Sequence, residues 1–143
     1  MKLPNFEQAL VKRAGSVEGL WAMLQERGED GFTIHEKPYL PFAVDAHWGN
    51  SYVTIWAFFH KAVNGDPCMD PLVKYRCTRT ADGSLDFVPF YWETWPFPPC
   101  EVIEGAGNLA DGTTGRTELE QLVKDWDVEF GRRGYAEKTP QAT

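Results

Sequence analysis

Leu40-Pro-Phe42-Ala-Val44-Asp45-Ala46-His47-Trp48-Gly49-Asn50-Ser51-Tyr52-Val53-Thr54-Ile55-Trp56-Ala57-Phe58-Phe59 is the stretch that decides the fold. Leu40, Phe42, Val44, Ala46 and Trp48 are apolar at every second position, with Asp45 and His47 between them. A period of two marks a strand with one buried face, because successive side chains leave a pleated chain on opposite sides. Gly49-Asn50 reads as a tight turn, and Ser51 to Lys61 as the next strand.

The same logic extends in both directions. Upstream, Phe32 and Ile34 share one face of a first strand. Downstream, Asn64-Gly65-Asp66-Pro67 is a turn cluster, and Leu72 to Thr78 forms a fourth strand. Ala81-Asp82-Gly83 fits a three-residue hairpin loop with Gly at the left-handed position, leading into a fifth strand from Ser84 to Trp92. Pro89 has no N–H for a ladder, which places this strand at an edge or a bulge.

Helical spacing flanks the strands. Residues 5–14 read as one helix. Ser16 is an N-cap for a second, which carries Val17, Leu20, Trp21 and Leu24 and stops at Gly28. Gly15 and Gly19 break continuity between the two, so two pieces or one kinked helix are expected. Residues 93–115, rich in Pro and Gly, read as loop, and a loop of that length is usually functional or mobile. Thr117 with Glu120 suggests a capping box for a last helix, whose stripe is Leu119, Leu122, Val123, Trp126 and Phe130. Arg132 and Arg133 close it, where the helix dipole favours cations. The expected architecture is α+β: an antiparallel meander of about five strands with the N-terminal and C-terminal helices packed on one face. Residues 1–135 would form a single domain and 136–143 a disordered tail.

Composition narrows the function classes. The 143 residues carry a net charge of −7 and an aromatic share of 14%, including six Trp and nine Phe. That many large rings allow a sizeable core with some left over for a binding surface. The acidic balance argues against nucleic acid as a partner, since phosphate binders carry basic stripes. Cys68, Cys77 and Cys100 are odd in number and show no CxxC spacing, so neither a disulfide framework nor a Cys-based zinc site is indicated. The longest apolar stretch, 53–59, is too short to span a bilayer, and the N-terminus lacks the apolar core of a signal peptide. A cytoplasmic location, no membrane and no cofactor are the expectations.

Alternation also predicts what lies on the far side of the sheet. With Phe42, Val44, Val53, Ile55, Ala57, Phe59, Val73 and Tyr75 inward, the outward set is His35, Asp45, His47, Tyr52, Trp56, Phe58 and His60, continued by Lys74, Arg76, Val88, Phe90 and Trp92. A face half aromatic and half charged is a candidate binding surface. The competing reading has residues 95–104 folded over it, making the aromatics a second small core.

Zinc is argued down by strand geometry. His35 and His47 lie at least four residue pairs apart, over ~13 Å at the usual rise, whereas zinc ligands sit within about 2.1 Å of the ion. His60 and Asp70 are better placed, facing each other across a hairpin centred on Gly65. They could serve as an oriented base, or as a partial metal site with Asp66. The structural alternative is a polar pair that pins hairpin register. Cys100 has no basic partner near it in sequence, and Cys77 points inward. Gly105-Ala-Gly107 lacks the strand-to-helix context and the following Lys of a phosphate loop.

The segment Phe59-His60-Lys61-Ala62-Val63-Asn64-Gly65-Asp66-Pro67-Cys68-Met69-Asp70-Pro71, with Trp126 and Gly134-Tyr135 further on, resembles a family of uncharacterised small domains carried by bacterial plasmids, integrative elements and phages. The resemblance spans roughly residues 16–136, and Trp95-Pro-Phe-Pro-Pro99 departs from it. It implies an accessory gene on a mobile element and carries no catalytic residues.

Three functions compete. The leading expectation is a non-enzymatic binding protein that contacts a host or element-encoded protein, as an anti-defence inhibitor for example. The second is a metal-assisted hydrolase or nuclease using His60, Asp66 and Asp70. The third is a single-stranded nucleic-acid binder stacking bases on Trp56, Phe90 and Trp92, with Lys74 and Arg76 on phosphates.

Overall fold

A computed structural model of the chain describes residues 1–35, 39–49, 52–63, 66–94, 100–101, 116–138 and 140–142; at 60–63, 66–68, 100–101, 116–118 and 141–142 it describes the backbone alone. The two N-terminal helices are separate, as the glycines imply. Helix α1 (Pro4–Ala14) ends on Gly15 in the left-handed region at φ 88°. Helix α2 (Val17–Arg27) is capped by Ser16, whose hydroxyl accepts from the Gly19 N–H, and it ends on left-handed Gly28. Gly19 sits against the preceding helix end: a Cβ there would lie 2.6 Å from the Ala14 carbonyl oxygen.

Five strands follow as an antiparallel meander: β1 (Glu29–Ile34), β2 (Phe42–Trp48), β3 (Val53–Val63), β4 (Asp66–Arg79) and β5 (Leu85–Glu93). Two-residue strands extend both edges, β6 (Cys100–Glu101) beside β5 and β7 (Gln141–Ala142) beside β1. Helix α3 (Arg116–Arg132) begins one residue before Thr117, so Thr117 is not the N-cap that the capping-box pattern suggests.

One face of the sheet carries all three helices. Phe32, Ile34, Phe42, Val44, Val53, Ile55, Ala57, Phe59, Val73 and Tyr75 point into a core shared with Phe6 and Leu10 of α1, Leu24 of α2, and Leu119, Val123 and Phe130 of α3. The inward alternation read from the sequence holds across the sheet, Cys77 included. Phe42 is the hub, in ring contact with Phe6, Phe59, Trp126, Phe130 and Tyr135. Trp126 is only half-buried, leaning on Phe42 and Phe59.

A carboxylate crosses this core boundary. Helix α1 has no side-chain cap of its own. Instead Asp127 of α3, 7% exposed, accepts from the backbone N–H groups of Phe6 at 2.8 Å and Asn5 at 3.3 Å, and from the Asn5 amide. An acid aimed at a helix N-terminus satisfies its orphan donors and its dipole together. Burial still pushes the Asp127 carboxyl above the usual range, with the hydrogen bonds from Phe6 and Asn5 pulling the other way. The helices approach closely here: a Cβ on Gly131 would lie 2.6–2.7 Å from the Asn5 amide group.

The last residues correct the expected disordered tail. Beyond Tyr135, which closes the expected domain and is fully buried, Ala136 is nearly buried in a 3-10 turn (Tyr135–Glu137), and Gln141–Ala142 pair with Phe32 and Thr33. Burying the Tyr135 ring against Phe42 and Phe130 offsets the entropy of ordering this segment, which a polar sequence after the helix conceals. Pro89 sits at a bulge of β5, one of the two places expected for it, and β6 pairs with β5 only at Tyr91 and Trp92. The edge of β5 at Leu85 and Phe87 is covered by the N-terminal residues, with Met1 exchanging backbone hydrogen bonds with Phe87 and Glu7 accepting from the Leu85 N–H. An edge so occupied cannot template pairing with another chain.

Candidate functional site

The outward face is built as three cross-strand rows, each set by the pairing register. The middle row runs Tyr91, Lys74, Trp56, Asp45. Next to it runs Val88, Arg76, Thr54, His47, Glu29. On the other side Leu72, Phe58 and Ala43 line up. Directly opposed side chains on a sheet are close enough to interact, so the rows and not the strands are the units of this surface.

The middle row is an aromatic slot around a cation. Lys74 Nζ lies 4.0 Å from the Trp56 ring centroid and 4.1 Å from that of Tyr91. Each such contact is worth about 0.5–1 kcal/mol at a partly exposed site. Tyr91 in turn donates its hydroxyl to Glu93 at 2.7 Å. In the second row the Arg76 guanidinium lies 5.4 Å from the centroid of the exposed Tyr52 ring. His47 places its edge toward Trp56 at 6.5 Å and its Nδ1 3.5 Å from a Glu29 oxygen.

Several residues assigned to this face from the sequence belong elsewhere. Trp92 points to the helix side and packs against the main core. The reason is a bulge: pairing steps from Tyr75–Pro89 to Lys74–Tyr91, so Phe90 and Tyr91 together oppose Lys74 and the alternation inverts afterwards. Tyr91 therefore takes the place in the slot that counting by twos assigns to its neighbours. Pro89 was the available signal, since a residue that cannot donate is where a ladder slips. Phe58 is on the expected face but buried with Ala43 and Leu72 as a small second core, with Trp56 and Tyr91 packed on it. His35 is exposed beyond the end of β1, six positions from His47 along the β1–β2 ladder, about 20 Å of strand. Of the segment 95–104 expected to fold over this face, the backbone of Cys100–Glu101 pairs beside β5 at the sheet edge, and 95–99 and 102–104 lie outside the described residues.

The hairpin trio does not assemble as expected. Val63 pairs with Asp66 and His60 with Met69, so His60 stands opposite Met69 and not Asp70. The pairing is offset by one residue from the expected one. A register shift follows between Phe58 and His60, and Asp70 falls within it, buried at 5% exposure. His60 and Asp66 stand three pairs apart along the ribbon, about 10 Å. Among the described residues no group of three His, Cys, Asp or Glu could hold a metal ion. Cys77 is buried, and desolvation first, then Glu7 and Asp86, push its thiol up to about 12. A thiol so held is a poor nucleophile.

On the helix side, Trp92 and Trp126 wall a cleft of about 370 Å³ with Pro71, Val73 and Leu122, rimmed by Asp125 and Glu129. Glu129 is already paired with Arg132 and Arg133, whose hydrogen bonds hold its carboxyl at about 2. Asp125 accepts from Gln121 at 2.9 Å.

Among known proteins, no family model, no curated protein and no solved structure matches the chain. Among the described residues no helix is long and apolar enough to cross a membrane.

Proposed function

We propose that this chain is a non-catalytic binding protein whose outward sheet face contacts a partner protein. The observation that carries this reading is the row Tyr91–Lys74–Trp56, flanked by Arg76 on Tyr52: cationic and aromatic groups brought together across adjacent strands by the pairing register. Rigid aromatic and cationic side chains are the common anchors of protein interfaces. A host or element-encoded partner, a cytoplasmic setting, an accessory role on a mobile element and action as an anti-defence inhibitor complete the proposal. The partner class, the mobile element and the inhibitor role draw on the resemblance carried by residues 59–71, Trp126 and Gly134-Tyr135, and the cytoplasmic setting on the odd cysteine count and the short apolar stretches of the sequence.

Nucleic-acid stacking is the weaker reading. Lys74 already occupies a flank of both Trp56 and Tyr91, and Trp92 lies on the other side of the sheet. The hydrolase reading loses its geometry with the His60–Asp70 register, although the buried Asp70 carboxylate keeps it open to test.

Affinity capture from the native host, run with the wild-type chain and with Trp56→Ala and Arg76→Glu, tests the proposal. The expected result is a protein retained by wild type and lost with both folded variants. Capture that both variants leave unchanged would move the site off this face. A melting-temperature rise with divalent metal that vanishes in Asp70→Asn would favour the hydrolase instead.

A further inference from the structure

Lys74 sits in the middle of the outward face, half-buried between two rings, and among the described residues no carboxylate reaches its ammonium. The acids of the face lie elsewhere. Asp45 stands beyond Trp56 in the same row, about 10 Å away across two strands. Glu93 accepts from the Tyr91 hydroxyl, and Glu29 faces His47.

An ammonium has three N–H donors, and ring faces attract its charge without accepting ordinary hydrogen bonds. The two rings also displace water from its flanks. A carboxylate arriving at this slot therefore meets a less screened charge than it would at an open lysine, and can form a charge-assisted hydrogen bond. Arg76 follows two residues along β4 on the same face, over the Tyr52 ring. Ring-held cations thus recur at about 6.6 Å, the spacing at which an extended segment presents its side chains i and i+2. The chain's net charge of −7 opposes an acidic partner only at long range, since salt screens beyond about 8 Å.

We propose that the slot between Trp56 and Tyr91, with Lys74 at its floor, receives an aspartate or glutamate side chain from an extended acidic segment of a partner protein. This rests on the outward face being a protein-binding surface, and it names what that surface recognises.

The test is an amide NMR titration of the full chain with a synthetic peptide of alternating Glu and Thr. The same peptide with Gln for Glu and a single-stranded oligothymidylate serve as comparisons. Wild type should show saturable shifts centred on Trp56, Lys74 and Tyr91 with the Glu peptide. Affinity should fall at least tenfold with the Gln peptide and in Lys74→Gln, and recover in part in Lys74→Arg. Unchanged amide shifts in α1, α2 and β1, remote from the substitution, show that each variant is folded. Equal shifts from the Gln and Glu peptides would overturn the carboxylate assignment and leave the protein-binding face standing. Tighter binding of the oligothymidylate with the same dependence on Lys74 would overturn the partner class. No shift on this face with either peptide at millimolar concentration would overturn both.

Discussion

The two faces of one sheet use the same residue types to different ends. On the helix side the rings mainly meet one another: Phe6, Phe42, Phe59, Phe130 and Tyr135 form a continuous cluster, with the Asp127 carboxylate buried at its margin and a single cation, Arg133, over Tyr39 and Phe59 among the described residues. On the outward side the rings meet cations: Trp56 and Tyr91 hold Lys74, and Tyr52 lies under Arg76. Between the rows a small core of Ala43, Phe58 and Leu72 anchors the face. The contrast teaches that aromatic content alone does not separate core from surface. What a ring opposes across the ladder does.

The comparison predicts a graded response to substitution. Phe42→Ala removes the hub of the larger face and should cost about 3–5 kcal/mol in urea unfolding. Trp126→Ala, half-buried beside it, should cost measurably less. If the two were equal, Phe42 would not be the hub.

On the outward side, Leu72→Ala should cost about 2 kcal/mol, the low end for a buried leucine, because its cluster is small. A value within error of zero in the same unfolding assay would mean that the second core does not contribute to stability.

At the margin between helices, Asp127→Ala strips acceptors from the Phe6 and Asn5 N–H groups and should cost about 1–2 kcal/mol, as for loss of an N-cap. The acid also carries a pH signature. Burial raises its folded-state pKa, so the folded chain binds that proton more tightly than the unfolded one. Its contribution then favours folding at low pH and is lost as pH rises from the unfolded value through the raised one. The stability of wild type minus that of Asp127→Asn should accordingly decrease as pH rises from about 4. A difference that grows with pH would show that the helix N-terminus outweighs burial.

The smallest effect is expected at Lys74. Lys74→Gln forfeits two partly exposed cation–π contacts and should cost no more than about 1–2 kcal/mol in thermal or urea unfolding. A loss as large as that of Phe42→Ala would make the slot part of the scaffold.

Much of this was legible in the chain. Alternation from Phe42 to Trp48 and from Val53 to Phe59 places the inward residues correctly, and Ser16, Gly28 and Gly83 mark their cap and turns. These are local signals, since a pleat, a cap or a left-handed residue depends on neighbours within a few positions. The face was legible only as far as the register stayed in phase. Beyond Pro89 one extra residue exchanged Trp92 for Tyr91, and in the β3–β4 hairpin an offset of one residue set His60 opposite Met69 in place of Asp70.

By itself the sequence determined the class of fold and which side of each central strand faces the helices, because hydrophobic periodicity sorts residues between water and core without knowing their partners. Tertiary structure alone decided that Asp127 caps a helix 121 residues away, that Tyr135 closes the core, and that Lys74 lies between Trp56 and Tyr91. Each of those depends on which strands or helices become neighbours, and a bulge or a hairpin offset of one residue changes that pairing by an amount the local pattern does not fix.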